Sequence, residues 1–349
     1  MRSWSWLLVL LIACSDCNEE EPTEAEGSEQ VAAPEAPVEE PIQALPGVQT
    51  NMAKVVLGRR LYNDPILSGD RTISCATCHS LDHGGAEPRA VSTGINAQSG
   101  PINSPTVLNA GFNFRQFWDG RAADLREQAA GPVENPLEMG TTFAEAIERI
   151  RQDEWYVERF GALYGGEITK ENITDAIAEF ERSLVTPSPV DAFLNGDESA
   201  LDEQQRRGYA LFKEVGCSSC HMGVNVGGTM YQKMGVVEDY FALRGGEITE
   251  ADLGRFNQTQ SDSDRHFFKV PTLRNVALTP PYFHDGSQQE LSEAVRIMAR
   301  VQLGRRLEDA QIADIVAFLG ALTGELPEHA RIPEDEMPPD RSGGATQGG

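Results

Sequence analysis

The pattern Cys-x-x-Cys-His occurs twice in this chain, once in each half. In an exported protein this spacing is typical of covalent c-type haem attachment, in which both thiols bond to the porphyrin vinyl groups and the histidine ligates iron. A shared zinc site would leave both histidines without a role, and a thioredoxin-like site would need a βαβ context that neither copy has. The sequence therefore predicts two haem c groups. Their attachment residues are Cys75, Cys78 and His79 in the first copy and Cys217, Cys220 and His221 in the second.

The start of the chain has the features of an export signal. Arg2 precedes an apolar run over residues 7–13, which is too short to span a bilayer. The run ends in Leu-Ile-Ala-Cys14, which resembles a bacterial lipobox. We expect residues 1–14 to be a lipoprotein-type signal, and the protein to be periplasmic and held at the outer membrane only by lipid on Cys14. An ordinary signal whose cleavage discards Cys14 is the alternative.

Both ends of the chain have the composition of disordered segments. Between residues 15 and 53 there are ten carboxylates, five prolines and no Lys or Arg. Such a segment buries too little apolar surface to offset the entropy of ordering. We therefore expect a disordered tether over 15–51 and a disordered tail over 328–349. The formal net charge of −25 argues against nucleic acid as a partner. Such a charge can steer in a small basic or locally complementary redox protein, and it is equally typical of a soluble acidic surface.

The body of the chain has a duplicated pattern. Gly58-x-x-Leu-Tyr precedes the first haem motif and Gly208-x-x-Leu-Phe precedes the second. Far downstream of each motif, over 173–184 and 312–322, apolar residues recur with helical periodicity. This arrangement resembles the small all-α cytochrome c fold. We predict an all-α chain of two tandem class I cytochrome c-like domains, each with one haem c, over residues 52–200 and 201–327.

The sixth ligand of each iron decides between electron transfer and chemistry. A Met thioether closes the iron and raises its potential, whereas an open position admits a reactant. In the second half Met298 precedes the terminal helix, where this fold supplies its methionine, and three methionines within 222–234 compete with it. In the first half Met139 could ligate, or Glu138 could stand over an open iron as the acid–base group for peroxide cleavage. The spacing leaves both readings of the first half open.

Several motifs together resemble those of the bacterial dihaem cytochrome c peroxidase family, and the resemblance covers nearly all of residues 52–325. They include Leu-Ser-Gly-Asp70 before the first haem motif, Gln-Phe-Trp-Asp-Gly-Arg121 and Pro-Pro-Tyr-Phe-His-Asp285. The remaining segments are 101–109 and 298–304. The resemblance implies a low-potential peroxide site at the His79 haem. It also implies a high-potential electron-entry haem on His221 and Met298.

The same resemblance implies roles for residues outside the haem motifs. Gln128 and Glu138 fall where the family has its distal-pocket pair, and Trp118 matches the tryptophan between the haems. Interdomain calcium is implied as a further cofactor, and oxygen-only ligation suits that ion. Its implied ligands are the side chain of Asn103 and the backbone carbonyls of Thr279 and Pro281.

One position departs from the family pattern. Many members have a His in a Gly-His-Gly-Trp-Gln-like loop, and this His caps the resting peroxidatic iron until reduction frees it. Ile95 occupies that position here and cannot ligate. His83, the nearby alternative, follows His79 too closely to leave the proximal side. The hypothesis is therefore that the His79 iron is open even when fully oxidised.

The implied function is reduction of hydrogen peroxide to water, with Glu138 moving the proton. The implied electron donor is a small periplasmic monohaem cytochrome c or cupredoxin, and the family tendency to dimerise makes a homodimer possible. A non-enzymatic dihaem electron carrier is one alternative. Another is a protein-oxidising relative similar to the methylamine dehydrogenase maturation enzyme, which has a Tyr ligand where this chain has Met298.

Overall fold

The computed structural model describes residues 40–339. The predicted signal, Cys14 and most of the predicted tether lie outside the described residues. No helix within the described range is long and apolar enough to span a bilayer. The first half contains α1 (Met52–Asn63), α2 (Cys75–Cys78), α3 (Leu125–Glu134), α4 (Phe143–Ile150), α5 (Glu154–Tyr164), α6 (Lys170–Ser183) and α7 (Pro189–Leu194). The second half contains α8 (Glu203–Glu214), β1 (Tyr231–Lys233), α9 (Tyr240–Arg244), α10 (Phe256–Thr259), β2 (Phe267–Lys269), α11 (Leu291–Leu303) and α12 (Asp309–Ala321).

The predicted all-α class is confirmed, since a short antiparallel ribbon of β1 and β2 is the one sheet in the described chain. Both apolar stripes found in the sequence form helices, namely α6 and α12. The helix α6 begins after Thr169, whose side chain accepts a hydrogen bond from the backbone N–H of Asn172. Its apolar face, which includes Ile173 and Phe180, is fully buried.

The two halves use the same helix crossing. Helix α1 crosses α6, and a Cβ added to Gly58 would lie 1.9 Å from the carbonyl oxygen of Ala176. Helix α8 crosses α12, and a Cβ added to Gly208 would lie 1.9 Å from the carbonyl oxygen of Asp314. Only glycine permits this approach of two helix backbones. The expected glycine contact between an early and a late helix is therefore confirmed in both halves.

Each crossing organises its own hydrophobic core, which is the arrangement expected of two domains. The first core includes Leu57, Leu61, Val133, Phe143, Ile150, Phe160 and Ile177. The second includes Ile42, Tyr209, Phe212, Ile315, Phe318 and Leu319. The chain from Glu40 onwards forms one compact unit, so the boundary at residue 200 stays a prediction.

A turn of the same design follows each haem motif. The sequences Ser-Pro-Thr-Val-Leu-Asn109 and Val-Pro-Thr-Leu-Arg-Asn275 end in asparagines with φ of 58° and 61°. The N–H of Asn109 donates to Leu184 O at 2.9 Å, and the N–H of Asn275 donates to Leu322 O at 3.1 Å. Each turn is therefore bonded to the end of the terminal helix of its own half.

The tether prediction is wrong for residues 40–51. Ile42 is 1% exposed within the second core, and the N–H of Leu45 donates to Asp191 Oδ1 at 2.7 Å. The Glu40 carboxylate accepts a hydrogen bond from Tyr209 and pairs with Lys213. We predicted disorder because the composition of a segment contains no information about its contacts with residues distant in sequence.

The tail prediction is also wrong for its first part, residues 328–339. Arg59 on α1 donates to the carbonyl oxygens of His329 (2.7 Å) and Arg331 (3.0 Å). The Nε2 of His329 lies 2.9 Å from Ser183 Oγ, and Ala330 is 2% exposed. The hydrogen bonds from the buried Arg59 side chain fix the backbone of the tail, although the tail has no hydrophobic run.

Candidate haem sites and the residues between them

The first Cys-x-x-Cys-His motif forms α2 with its histidine at the C-terminal end. His79 Nδ1 lies 3.0 Å from the carbonyl oxygen of Pro105, so an Nδ1–H donor leaves Nε2 free to ligate. Burial lowers the pKa of His79, which keeps the ring neutral as a metal ligand requires. Burial also raises the pKa of both thiols, that of Cys78 to about 11. These residues fit covalent haem attachment with axial histidine ligation.

The second motif has the same chemistry in a deep cavity. Burial lowers the pKa of His221 to about 4, and its Nδ1 lies 3.4 Å from the carbonyl oxygen of Val226. Cys217, Cys220 and His221 line the cavity together with apolar side chains of α11 and α12. The apolar lining residues from these helices include Leu291, Val295, Ile315 and Leu319. An apolar slot with two thiols and a neutral histidine also fits haem c.

Two candidate methionine ligands line this second cavity. They are Met298 on α11 and Met234 in the preceding loop, and they pack in one hydrophobic cluster. Met222 is 36% exposed, and Met230 is not among the lining residues. Met298 stays the predicted ligand, because its helix also supplies lining residues of the cavity.

The charge of Glu138 acts on the first haem motif. Its carboxylate charge contributes to the raised pKa of both Cys75 and Cys78. Burial raises the pKa of Glu138 itself, against opposing contributions from Asn135 and Arg121. Asn135 Nδ2 donates to Glu138 Oε1 at 2.6 Å and so orients the carboxyl group. A half-buried, oriented carboxyl group with a raised pKa is suited to general acid–base catalysis.

Gln128 and Met139 are the other two residues predicted for this pocket. Gln128 is half-buried on α3, two turns before the segment that holds Glu138. Met139 is 3% exposed and packs in the first core with Val133 and Phe143. The role of Gln128 and the alternative of Met139 as a ligand both stay predictions.

The loop that carries Ile95 is fixed against the Glu138 segment. The N–H of Ile95 donates to Glu138 O at 2.8 Å, and Gln98 Nε2 donates to Pro136 O at 3.0 Å. The backbone of Asn96 donates to the Asp70 carboxylate, which contributes to the lowered pKa of Asp70. Ile95 is 8% exposed. The loop is thus bonded on two sides with an apolar residue at its centre.

Trp118 borders the cavity of the second candidate haem site. Its indole Nε1 donates to the carbonyl oxygen of Asn103 at 2.9 Å, and its ring borders the second cavity. Pro105, whose carbonyl oxygen holds His79, also borders that cavity. Residues 103–105 thus connect the Trp118 indole to the His79 ring, and the placement of Trp118 between the haems stays a prediction.

A second aromatic residue sits at the position equivalent to Trp118. The sequences Phe-Trp-Asp-Gly and Phe-His-Asp-Gly form matching turns, in which Phe117 has φ of 67° and Phe283 has φ of 71°. They bring Trp118 and His284 to 6.3 Å between ring centroids. The Nε2 of His284 bonds Asp252 Oδ1 at 2.7 Å. Sequence reasoning missed this pair, although aligning the two halves of the chain reveals it.

Each of these two turns accepts a backbone hydrogen bond from the other half of the chain. The N–H of Lys269 in the second half donates to Trp118 O at 2.8 Å. The N–H of Asn103 in the first half donates to His284 O, also at 2.8 Å. Lys269 and Asn103 each stand two residues before the proline of the turn that follows a haem motif. The halves are therefore related by a local two-fold arrangement in which Lys269 is the counterpart of Asn103.

The three implied calcium ligands all border the cavity of the second candidate haem site. Asn103, Thr279 and Pro281 line one cavity. Within the described residues, no hydrogen bond is donated to Asn103 Oδ1, Thr279 O or Pro281 O. Free amide and carbonyl oxygens are ligands that calcium accepts, and water would complete its coordination. The residues present fit the ion.

Two protein-family models match this chain. The family model described as Di-haem cytochrome c peroxidase matches residues 52–199, and the model described as Cytochrome c matches residues 205–323. Each range contains one Cys-x-x-Cys-His motif. The predicted fold of two c-type haem domains is thereby confirmed.

Two curated relatives are similar over most of the chain. Cytochrome c peroxidase Ccp of Escherichia coli (strain K12) is 49% identical over 288 residues, which are 82% of this chain and 61% of that protein. Cytochrome c551 peroxidase of Nitrosomonas europaea is 48% identical over 292 residues, which are 83% of this chain and 86% of that protein. The chain thus spans less than two thirds of the Escherichia coli relative and most of the Nitrosomonas one.

A solved structure has the same fold. The crystal structure of a MauG-like protein associated with microbial copper homeostasis matches with a TM-score of 0.72 and 28% identity. The match covers 86% of this chain and 97% of that one. Relatives named cytochrome c peroxidase and one named MauG-like therefore share one architecture with this chain.

Proposed function

The chain belongs to the di-haem cytochrome c peroxidase family, and on this basis we propose that it reduces hydrogen peroxide to water with electrons from a small redox protein. Membership of the family implies two haem c groups. The observation that carries the proposal is Glu138, a half-buried carboxyl group that Asn135 orients, with a raised pKa and a charge that acts on the Cys75 and Cys78 thiols. An electron carrier has no use for such a group beside its haem.

When bound, the two haem c groups supply an iron that takes peroxide at the first site and an iron that accepts donor electrons at the second. Glu138 takes the proton from the inner peroxide oxygen and delivers it to the outer one, so that the oxygen that departs leaves as water. Asn135 holds the Glu138 carboxyl group through its 2.6 Å hydrogen bond. Gln128 orients the peroxide oxygens. Two electrons and two protons in total convert one peroxide into two waters.

We assign the electron route to the segment that links the two sites. Met298 would ligate the iron of the second haem and would favour its reduced state. Trp118 borders that site and donates its indole N–H to the peptide of Asn103, two residues before the proline that bonds His79. Calcium on Asn103, Thr279 and Pro281 would hold the two halves in register. The free oxygens of these residues support this proposal.

The remaining proposals concern the location, the electron donor and the oligomeric state of the protein. We propose a periplasmic location with lipid on Cys14, a monohaem cytochrome c or a cupredoxin as donor, and a homodimer.

The test of the proposed function is peroxide consumption by the doubly loaded protein with and without a reduced donor. Consumption should rise severalfold with one of the two donor classes. No rise with either would favour the electron-carrier alternative.

We predict that the fully oxidised protein with both haems reacts with peroxide without prior reduction. The reason is Ile95, an apolar residue held at the centre of a loop fixed to Glu138. EPR of the oxidised protein should give a high-spin ferric signal beside a low-spin one. The Ile95→His variant should convert the high-spin signal to low-spin and slow the reaction until the protein is reduced.

Ala97 offers a matched control for the loop, because it is exposed on the same turn. The Ala97→His variant should keep the high-spin signal. Two low-spin signals in the unmodified protein would show that another side chain, such as Met139, caps the iron, and would refute the prediction.

A further inference from the structure

The cavity of the second haem site contains one formal charge. Its lining includes no Asp, Glu or Arg among the described residues, and Lys269 is the one lysine. The other side chains that line it are apolar, neutral polar or histidine. Lys269 is therefore the one cationic residue in the described lining of this cavity.

Lys269 is buried and has no partner within the described chain. It is 5% exposed, and no described residue forms a hydrogen bond or an ion pair with its Nζ. Its backbone is fixed by the bond to Trp118 O at 2.8 Å and by pairing with Tyr231 across the ribbon. Burial lowers its pKa to about 8. A buried ammonium without a counter-charge is costly, so the bound state of the protein must provide one.

The fold itself does not require a cation at this position. The equivalent residue in the first half is Asn103, which makes the reciprocal backbone bond to His284 O. A neutral side chain therefore satisfies the same backbone position. Lys269 breaks the two-fold arrangement at the cavity where the second haem belongs, and this points to a role specific to that site.

We propose that Lys269 Nζ binds a propionate carboxylate of the haem c held by Cys217 and Cys220, and thereby raises the reduction potential of that haem. The inference needs haem at the second site but does not depend on peroxidase activity. Haem c carries two propionates, and the lining supplies no other cationic side chain to meet one. Pairing removes the negative potential that an unpaired buried carboxylate would impose on the iron, so the reduced state is favoured.

The experiment is a spectroscopic redox titration of the doubly loaded protein and its Lys269→Met variant. Methionine keeps the length of the side chain and removes the charge. We expect the midpoint potential of the Met298-ligated haem to shift downwards, while the other haem keeps its potential. The absorption band of the methionine-ligated ferric haem should remain, which separates loss of charge from loss of ligand.

Lys233 provides a matched control, because it lies on the neighbouring strand β1 with an exposed side chain. Lys233→Met removes the same formal charge and should leave both potentials unchanged. An unchanged potential in Lys269→Met, or an equal shift in Lys233→Met, would overturn the proposal. If Lys269→Met does not fold with both haems, Lys269→Gln and the charge-retaining Lys269→Arg replace it. The proposal is supported if the midpoint potential of the second haem is lowered in Lys269→Gln and unchanged in Lys269→Arg. Any other pattern overturns it.

Discussion

Glu138→Gln is expected to lower peroxide turnover by a factor of about 10² to 10⁴, the usual contribution of a positioned acid–base group. Glutamine keeps the shape of the side chain and the contact with Asn135, but it cannot accept and return a proton. Binding of both haems should be unaffected, because Glu138 is not an attachment residue. Turnover is measured with a saturating reduced donor, and the electronic spectrum of each preparation verifies haem content.

Glu134 supplies the matched control for this substitution. It is the last residue of α3, its side chain is 48% exposed, and its carboxylate pairs with Lys170 at 2.7 Å. Glu134→Gln removes the same charge four residues away and should leave turnover within a factor of about two, since exposed ion pairs contribute little. Unchanged turnover in Glu138→Gln, with both haems present, would contradict the acid–base role of this residue.

Much of the fold could be predicted from the sequence because its determinants are local or periodic. The stripes that became α6 and α12 are visible at helical spacing, and the haem motifs fix where each site begins. Gly58 and Gly208 could be recognised because a close helix crossing excludes every larger side chain. Each of these features can be read from a short window of the chain.

The errors at the ends have a common physical cause. Ile42 and Ala330 are isolated apolar residues in polar segments, and both are buried by partners far along the chain. Arg59 and Asp191 supply the hydrogen bonds that fix the backbone of these segments. Composition reports only the apolar surface that a segment itself can bury. These segments are ordered by hydrogen bonds and apolar contacts with the rest of the folded chain.

The candidate site was predictable only where a motif or a resemblance identified it. Trp118 and Glu138 came from the resemblance, whereas His284 and Lys269 emerge when the two halves are compared position by position. Such a comparison is informative because equivalent backbone positions have equivalent packing demands, so a difference in charge needs another cause. The contrast between Lys269 and Asn103 is one case, and Glu181 is another.

Glu181→Leu is expected to increase the free energy of unfolding by up to about 3 kcal/mol at pH 7. Glu181 lies on α6 directly after Phe180, and the equivalent residue after Phe318 on α12 is Leu319. Glu181 is 4% exposed, and no described residue donates a hydrogen bond to its Oε2. Burial raises its pKa from 4.5 to about 8. The first half thus has a carboxyl group at a position where the second half has a leucine.

The pH dependence of this effect follows from the direction of the shift. Below pH 4.5 the Glu181 carboxyl group is protonated in both the folded and the unfolded chain, so it imposes no penalty. Between pH 4.5 and about 8 the unfolded chain releases the proton while the folded chain retains it, and stability falls as the pH rises. Above pH 8 both states are ionised and the penalty levels off. The Glu181→Leu variant should lose this slope.

Thermal unfolding of the doubly loaded protein between pH 4.5 and 8 measures the slope. Glu171→Leu is the matched control, because Glu171 is exposed in the first turn of the same helix. It should change stability by less than about 0.5 kcal/mol and keep the slope of the unmodified protein. If Glu181→Leu also keeps that slope, then the carboxyl group is ionised in the folded state and a cation must face it. If the slope is lost, the first half tolerates a buried acid at a cost in stability, which is the pattern expected of a polar residue retained for function, and its charge acts on the Cys75 thiol.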